Sequence, residues 1–163
     1  MLAILFEIDD RLWGTDARLV ETVVPAVRLR EVEGAPKWIS GVFNYRGAIV
    51  PAVDLSVLLS GKPAERTFST RYMLVKFSDG GREALAALVA RRITTVAEID
   101  DASITPPEGA SYGGGVFSVN GRLAQVFKIE NFIDSGDAGE IFRLYKIPSA
   151  SIILEKPQVG GKI

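Results

Sequence analysis

The chain has 163 residues, 47% hydrophobic and 24% charged, with a formal charge of −1 and a pI near 5.6. That balance describes an ordinary globule large enough to close a core without staples, and it argues against a general nucleic-acid binder, which needs a basic face. Neither Cys nor His occurs, which excludes disulfides, thiolate and imidazole metal ligands, and His-based catalytic triads.

Leu2 to Ile8 reads as a buried strand closed by the turn pair Asp9-Asp10. It lacks a basic leader, and no apolar run approaches the ~20 residues needed to cross a bilayer, so a soluble cytoplasmic protein is expected. Asp16 can cap a helical turn over 17–20, and residues 22–27 are extended, with Pro25 marking an edge or bend. Residues 33–36 are loop. Two β-branched runs, 39–45 and 48–53, flank the polar turn Asn44-Tyr45-Arg46-Gly47. Asp54 then stands at the N-cap of a short helix over 55–59, stopped by Gly61. Residues 62–70 read as a linker between halves. Residues 72–77 resemble the first strand and end in Asp79-Gly80-Gly81; 85–89 and 93–97 are two further strands, although 84–88 also has helix propensity. A loop carrying Pro106, Pro107 and Gly113-Gly114-Gly115 leads to a second hairpin and a short helix over 129–133. Residues 142–154 look extended and match nothing earlier.

The second hairpin repeats the first at a constant spacing of 74 positions: Gly41, Val42, Phe43 and Gly47 recur as Gly115, Val116, Phe117 and Gly121. Ile49 matches Leu123, Leu55 matches Ile129 and Leu59 matches Ile133. Two similar β units in one chain, built of short strands between Gly- and Pro-bearing turns, predict an all-β fold of two small barrels. Ala48 to Val53 is apolar at nearly every position, so both its faces are expected to be covered, one of them by the other barrel.

No constellation carries catalysis. Asp9-Asp10 and Asp100-Asp101 are adjacent turn residues rather than carboxylates converging on one substrate. The triple glycine leads into a strand, not into a helix amino terminus, so it is no phosphate cradle. Ser40 and Ser118 lack an activating base. Phe43, Phe117 and Phe127 are core by strand spacing. Arg46 admits two readings: a solvated turn residue, or a guanidinium presented on a rigid hairpin as an interface anchor.

Residues 38–55 closely resemble the signature of CheW-like domains, in which Asn-Leu-Arg-Gly follows a Gly-Val run and precedes apolar-Pro-apolar-Val-Asp-Leu. Trp13-Gly14-Thr15-Asp16 through Val23, Pro36 to Ile39, and Phe117 through Phe132 resemble further family segments in the correct order. The resemblance spans residues 2–134. It implies two five-stranded SH3-like barrels on a shared hydrophobic interface, here a domain over 1–134 with the first barrel over about 11–66, the second over about 71–134, strand 1–8 crossing between them, and an extension over 135–163. It also implies a non-enzymatic adaptor without cofactor or metal, associated with receptor arrays at the inner membrane only through its partners. Those partners are the cytoplasmic hairpin tip of chemoreceptors and the regulatory domain of a CheA-type histidine kinase. Arg46, with Val20 and Thr22, matches positions at the family's receptor-facing groove, and Gly41 and Asn44 shape that hairpin. The competing expectation is a generic SH3-like peptide-binding module.

Thr22 stands where some members carry an acid, and Ala87 and Arg91 replace a common Gly and Asp. The phrase Gly-Val-Phe-Asn-Tyr-Arg-Gly resembles variants from alternative chemosensory pathways.

Overall fold

Strand pairing in the computed structural model, which describes residues 1–79, 82–106, 108–109 and 112–133, builds two rings that share one strand. The elements are β1 (Leu2–Ile8), β2 (Arg11–Asp16), β3 (Val20–Pro25), β4 (Ile39–Tyr45), β5 (Ala48–Asp54), α1 (Leu55–Ser60), β6 (Thr70–Asp79), β7 (Arg82–Glu98), β8 (Gly113–Val119), β9 (Arg122–Phe127) and α2 (Ile129–Ile133). Single 3-10 turns occupy Ala17–Leu19 and Asp101–Ser103. In the first, Asp16 accepts from the Arg18 amide at 3.0 Å, the cap read from the sequence. The Arg18 guanidinium also holds the Asp16 carboxyl below its ordinary range.

Barrel one runs β3–β6–β7–β5–β4, and a bridge between Arg30 and Val42 closes it. Barrel two runs β7–β1–β2–β9–β8 and is closed by a bridge between Thr105 and Val116. β7 serves both: its first half pairs with β6 and β5, its second half with β1. The two strands expected at 85–89 and 93–97 are therefore one 17-residue strand. It changes direction at Arg92, whose φ of 51° is rare for a residue with a side chain.

The boundaries expected from the sequence do not follow this pairing. β2, placed with residues 11–66, pairs with β1 and β9, whereas β6, placed with 71–134, pairs with β3 in barrel one. The crossing strand is β7, not strand 1–8. Nor is 62–70 a linker between halves: Thr70 is buried and opens β6, and the Ala64 amide donates to Asp54 Oδ2 at 3.1 Å. The triple glycine opens β8. The expected strand over 142–154 lies outside the described residues.

Side-chain alternation explains the sharing. Along β6, Tyr72 and Leu74 enter the core of barrel one, while Met73 and Val75 enter a central layer between the barrels. On β7, Ala87 and Val89 face the first core, and Ala86, Leu88 and Ala90 the central layer. β1 divides likewise, with Ala3 and Leu5 in the core of barrel two and Phe6 and Ile8 in the centre. Leu55, Ile129 and Phe132, from the two matched helices, complete that centre and are fully buried. Each large apolar side chain removed from water contributes roughly 1.5–3 kcal/mol, so the central layer is a major source of stability. β5 departs from the expectation of two covered faces at one position: Ile49 is 53% exposed.

The repeat extends to backbone irregularity. The register shifts between Ile39 and Gly41 in the first hairpin and between Gly113 and Val116 in the second. At both places the closing segment crosses over glycine. A Cβ on Gly41 would lie 2.7 Å from the Arg30 carbonyl oxygen, and one on Gly115 would overlap the Thr105 carbonyl. Gly115→Ala is therefore expected to cost about 1–3 kcal/mol in urea unfolding. Gly121→Ala, strained in φ but in open space, should cost about 1–2 kcal/mol, less than Gly115→Ala. Equal losses at the two sites would contradict the close approach at Gly115.

Candidate functional site

The turn of the first hairpin joins Tyr45 to Ala48 through two residues of positive φ, Arg46 at 51° and Gly47 at 87°. A two-residue type I′ turn requires both, and Asn-Gly is its preferred sequence. The second hairpin has that pair, Asn120 at 49° and Gly121 at 74°. Arg46 thus occupies a position at which its own backbone is strained, a condition that persists only where the surroundings impose it. Asn44 helps impose it by accepting from the Gly47 amide at 3.0 Å through its side chain. The Arg46 guanidinium carbon lies 5.3 Å from the centroid of the Tyr45 ring, a contact worth roughly 0.5–1 kcal/mol at an exposed site. Among the described residues Arg46 forms no hydrogen bond or ion pair, and it is exposed beside Asn44 and Ile49.

Tyr45 packs at the edge of the first core, where Phe43 meets Tyr72 with ring centroids 5.2 Å apart. Burial pushes the Tyr72 hydroxyl up from its ordinary value, and this hydroxyl donates to the Val27 carbonyl at 2.8 Å. The turn is therefore mounted on a packed wall.

Gly41, Asn44 and Arg46 share this hairpin. Val20 and Thr22 lie elsewhere in the same barrel, half-buried on β3, opposite Val75 and Leu74 of β6. The register shifts between them, so Glu21 bulges out and pairs with Lys76 at 2.9 Å. Bulges at an edge re-aim neighbouring side chains. No hydrogen bond or ring contact among the described residues joins Val20 or Thr22 to the Arg46 turn.

A cleft of about 900 Å³ opens between the barrels, bordered by the β1–β2 turn, α1, the segment after it and the middle of β7. Asp9 and Asp10, read from the sequence as solvated turn residues, border it; both are exposed in a turn, as expected, and each also has side-chain partners. Asp9 Oδ2 accepts from Ser56 at 2.6 Å and Ser60 at 3.1 Å, and Asp10 pairs with Arg91 at 2.8 Å. Both acids have positive φ, which Asp tolerates well. Sequence reasoning missed these contacts because the partners of Asp9 lie some 50 residues away and that of Asp10 lies 81 away. The Arg91 that departs from the family pattern pairs with the exposed Asp10 here. Ala87, the other departure, is fully buried between Ala52 and Leu74. Among the described residues no group of three or more acidic side chains could hold a metal ion. No helix among them is long and apolar enough to cross a membrane.

Replacing Arg46 by Asn should relieve the turn and raise stability by about 0.5–1 kcal/mol in urea unfolding. A loss of stability would show that the Tyr45 contact outweighs the strain.

The family model for the CheW-like domain matches residues 2–137. The chain is 26% identical over 133 residues to "Chemotaxis protein CheW" of Helicobacter pylori, covering 78% of each chain. It is 28% identical over 130 residues to "Chemotaxis protein CheW" of Rhizobium meliloti, covering 71% of this chain and 81% of that one. The crystal structure of the scaffolding protein TtCheW from Thermoanaerobacter tengcongensis superposes with a TM-score of 0.72 at 23% identity, covering 83% of this chain and 89% of the other, which supports the same fold. With two closed barrels, a repeated hairpin and a family match across most of its length, the chain belongs to the CheW-like domain family.

Proposed function

We propose that the chain is a non-enzymatic adaptor that couples the cytoplasmic tips of chemoreceptors to a CheA-type histidine kinase. The observation that carries this reading is the Arg46 turn: a guanidinium held in a strained backbone on a packed hairpin, stacked on Tyr45 and free of any carboxylate among the described residues. The backbone that carries the guanidinium is already fixed, so binding has only the side chain left to order. The receptor, a helical hairpin, would lay an apolar face against barrel one, with Val20 and Thr22 on β3 meeting it and Arg46 at the rim. Gly41 and Asn44 act indirectly, by shaping the hairpin. Individual contacts of this kind are weak, and simultaneous engagement of receptor and kinase supplies the avidity. The protein would work in the cytoplasm, held at the inner membrane by its partners.

The names of the relatives, all chemotaxis or scaffolding proteins, support this reading over a generic peptide-binding module. Arg46→Glu should reduce co-sedimentation with a receptor cytoplasmic fragment while thermal unfolding stays nearly unchanged, because an exposed turn charge contributes little to stability. Undiminished receptor binding would remove Arg46 from the site. Adding the wild-type chain to receptor fragment and kinase should make phosphotransfer depend on the receptor; a generic module would leave it independent.

A further inference from the structure

All five strands of barrel two contribute to a second cavity of about 310 Å³. Its lining comes from Glu7 of β1, Leu12 of β2, Arg92 and Thr95 of β7, Val119 of β8 and Arg122 of β9. Glu7 and Leu12 flank the β1–β2 turn, and Val119 and Arg122 flank the β8–β9 turn. The cavity is therefore the mouth of the barrel. Barrel mouths are a common place for small-ligand sites, and this volume lies at the low end of their range of about 300–1,000 Å³.

Glu7 is out of place there unless something joins it. It is 7% exposed and shares a face of β1 with Leu5 of the barrel-two core. A carboxylate taken out of water is expected to gather close donors, because its burial is otherwise costly. Guanidinium contacts to a carboxylate fall at about 2.7–2.9 Å when they are good. Glu7 instead meets Arg122 Nη2 at 3.4 Å and Arg92 Nη1 at 3.5 Å, one on each oxygen. No closer donor reaches its side chain among the described residues. An ionised carboxylate accepts about four hydrogen bonds, so this one has capacity left.

The rest of the lining states what would use that capacity. Arg92 and Arg122 are exposed, and their two forks outnumber the single acid, so the mouth can take a carboxylate. A bare anion would face the charge of Glu7 and give it no donor. A ligand that also carries an ammonium serves both signs. Leu5, Leu12 and Val119, all packed with the barrel-two core, border the same cavity. They suit a short apolar side chain rather than a third charge.

We infer that the mouth of barrel two is a binding site for a small free α-amino acid with an apolar side chain. The ligand ammonium donates to Glu7, and the ligand carboxylate accepts from Arg92 and Arg122. The side chain rests on Leu5, Leu12 and Val119. The inference is independent of the adaptor reading.

Isothermal titration of the full chain with L-valine should give saturable binding, and excess valine should raise the unfolding temperature. N-acetyl-L-valine lacks the ammonium and isobutylamine lacks the carboxylate; each should bind more weakly by roughly tenfold or more. Glu7→Gln and Arg122→Gln should each weaken valine binding by a similar factor, while Arg46→Glu, on the other barrel, leaves it unchanged. Arg122 is exposed, so its variant keeps the fold and decides the matter should Glu7→Gln unfold. Absence of saturable valine binding would overturn the inference and leave solvent as the source of the missing donors. Equal binding of N-acetyl-L-valine would overturn it by removing Glu7 from the site. Full valine binding by Arg122→Gln would overturn it by placing the amino acid elsewhere.

Discussion

β1, β6 and β7 carry apolar side chains on both faces, and a strand of that kind is stable only between two hydrophobic layers. Here the layers are a barrel core on one side and the central layer on the other. β7 makes the arrangement obligatory: one continuous 17-residue strand contributes to both rings, so neither barrel can form from its own contiguous stretch of sequence. The order β1–β2, then β3 to the first half of β7, then the rest, amounts to two matched units that have exchanged halves within one chain. Rigidity follows from this. Displacing one barrel against the other would break β-ladder hydrogen bonds as well as apolar contacts.

That rigidity allows the surface to carry strain. Five non-glycine residues adopt positive φ among the described residues, and four of them, Asp9, Asp10, Arg46 and Asn120, lie in turns. Asp and Asn suit such positions. Arg does not, and the second hairpin shows the unstrained alternative at the matching place. A packed wall of Phe43, Tyr45 and Tyr72 beneath the turn, with the Asn44 side chain tied to the Gly47 amide, holds Arg46 there. The cost is local and small against the barrel's stability.

How much of this was legible in the sequence depends on whether the signal is local. The hairpins, the capping Asp54 and the αL stop at Gly61 were readable because turn and cap chemistry lies within a few residues. The repeat was readable because both copies need glycine under a crossing carbonyl, at Gly41 and Gly115. The exchange of β2 and β6 between barrels was not, because pairing across some 110 residues leaves no mark in periodicity. The helix propensity of residues 84–88 yielded to burial on both faces of β7. Arg46 and Asn44 could be named from their turn, but the strain at Arg46 could not, since φ has no sequence signature at Arg.

The central claim is that a rigid, interleaved pair of barrels presents separate surfaces to two proteins. Amide hydrogen exchange on the full chain, recorded alone, with receptor fragment, with kinase regulatory domain and with both, tests it most directly. The account predicts that the receptor slows exchange around residues 20–22 and 44–47, the kinase domain slows it in a different segment, and the two effects add when both are present, while the central strands exchange slowest throughout. Protection of the same segment by both partners, or one partner reversing the protection given by the other, would contradict it.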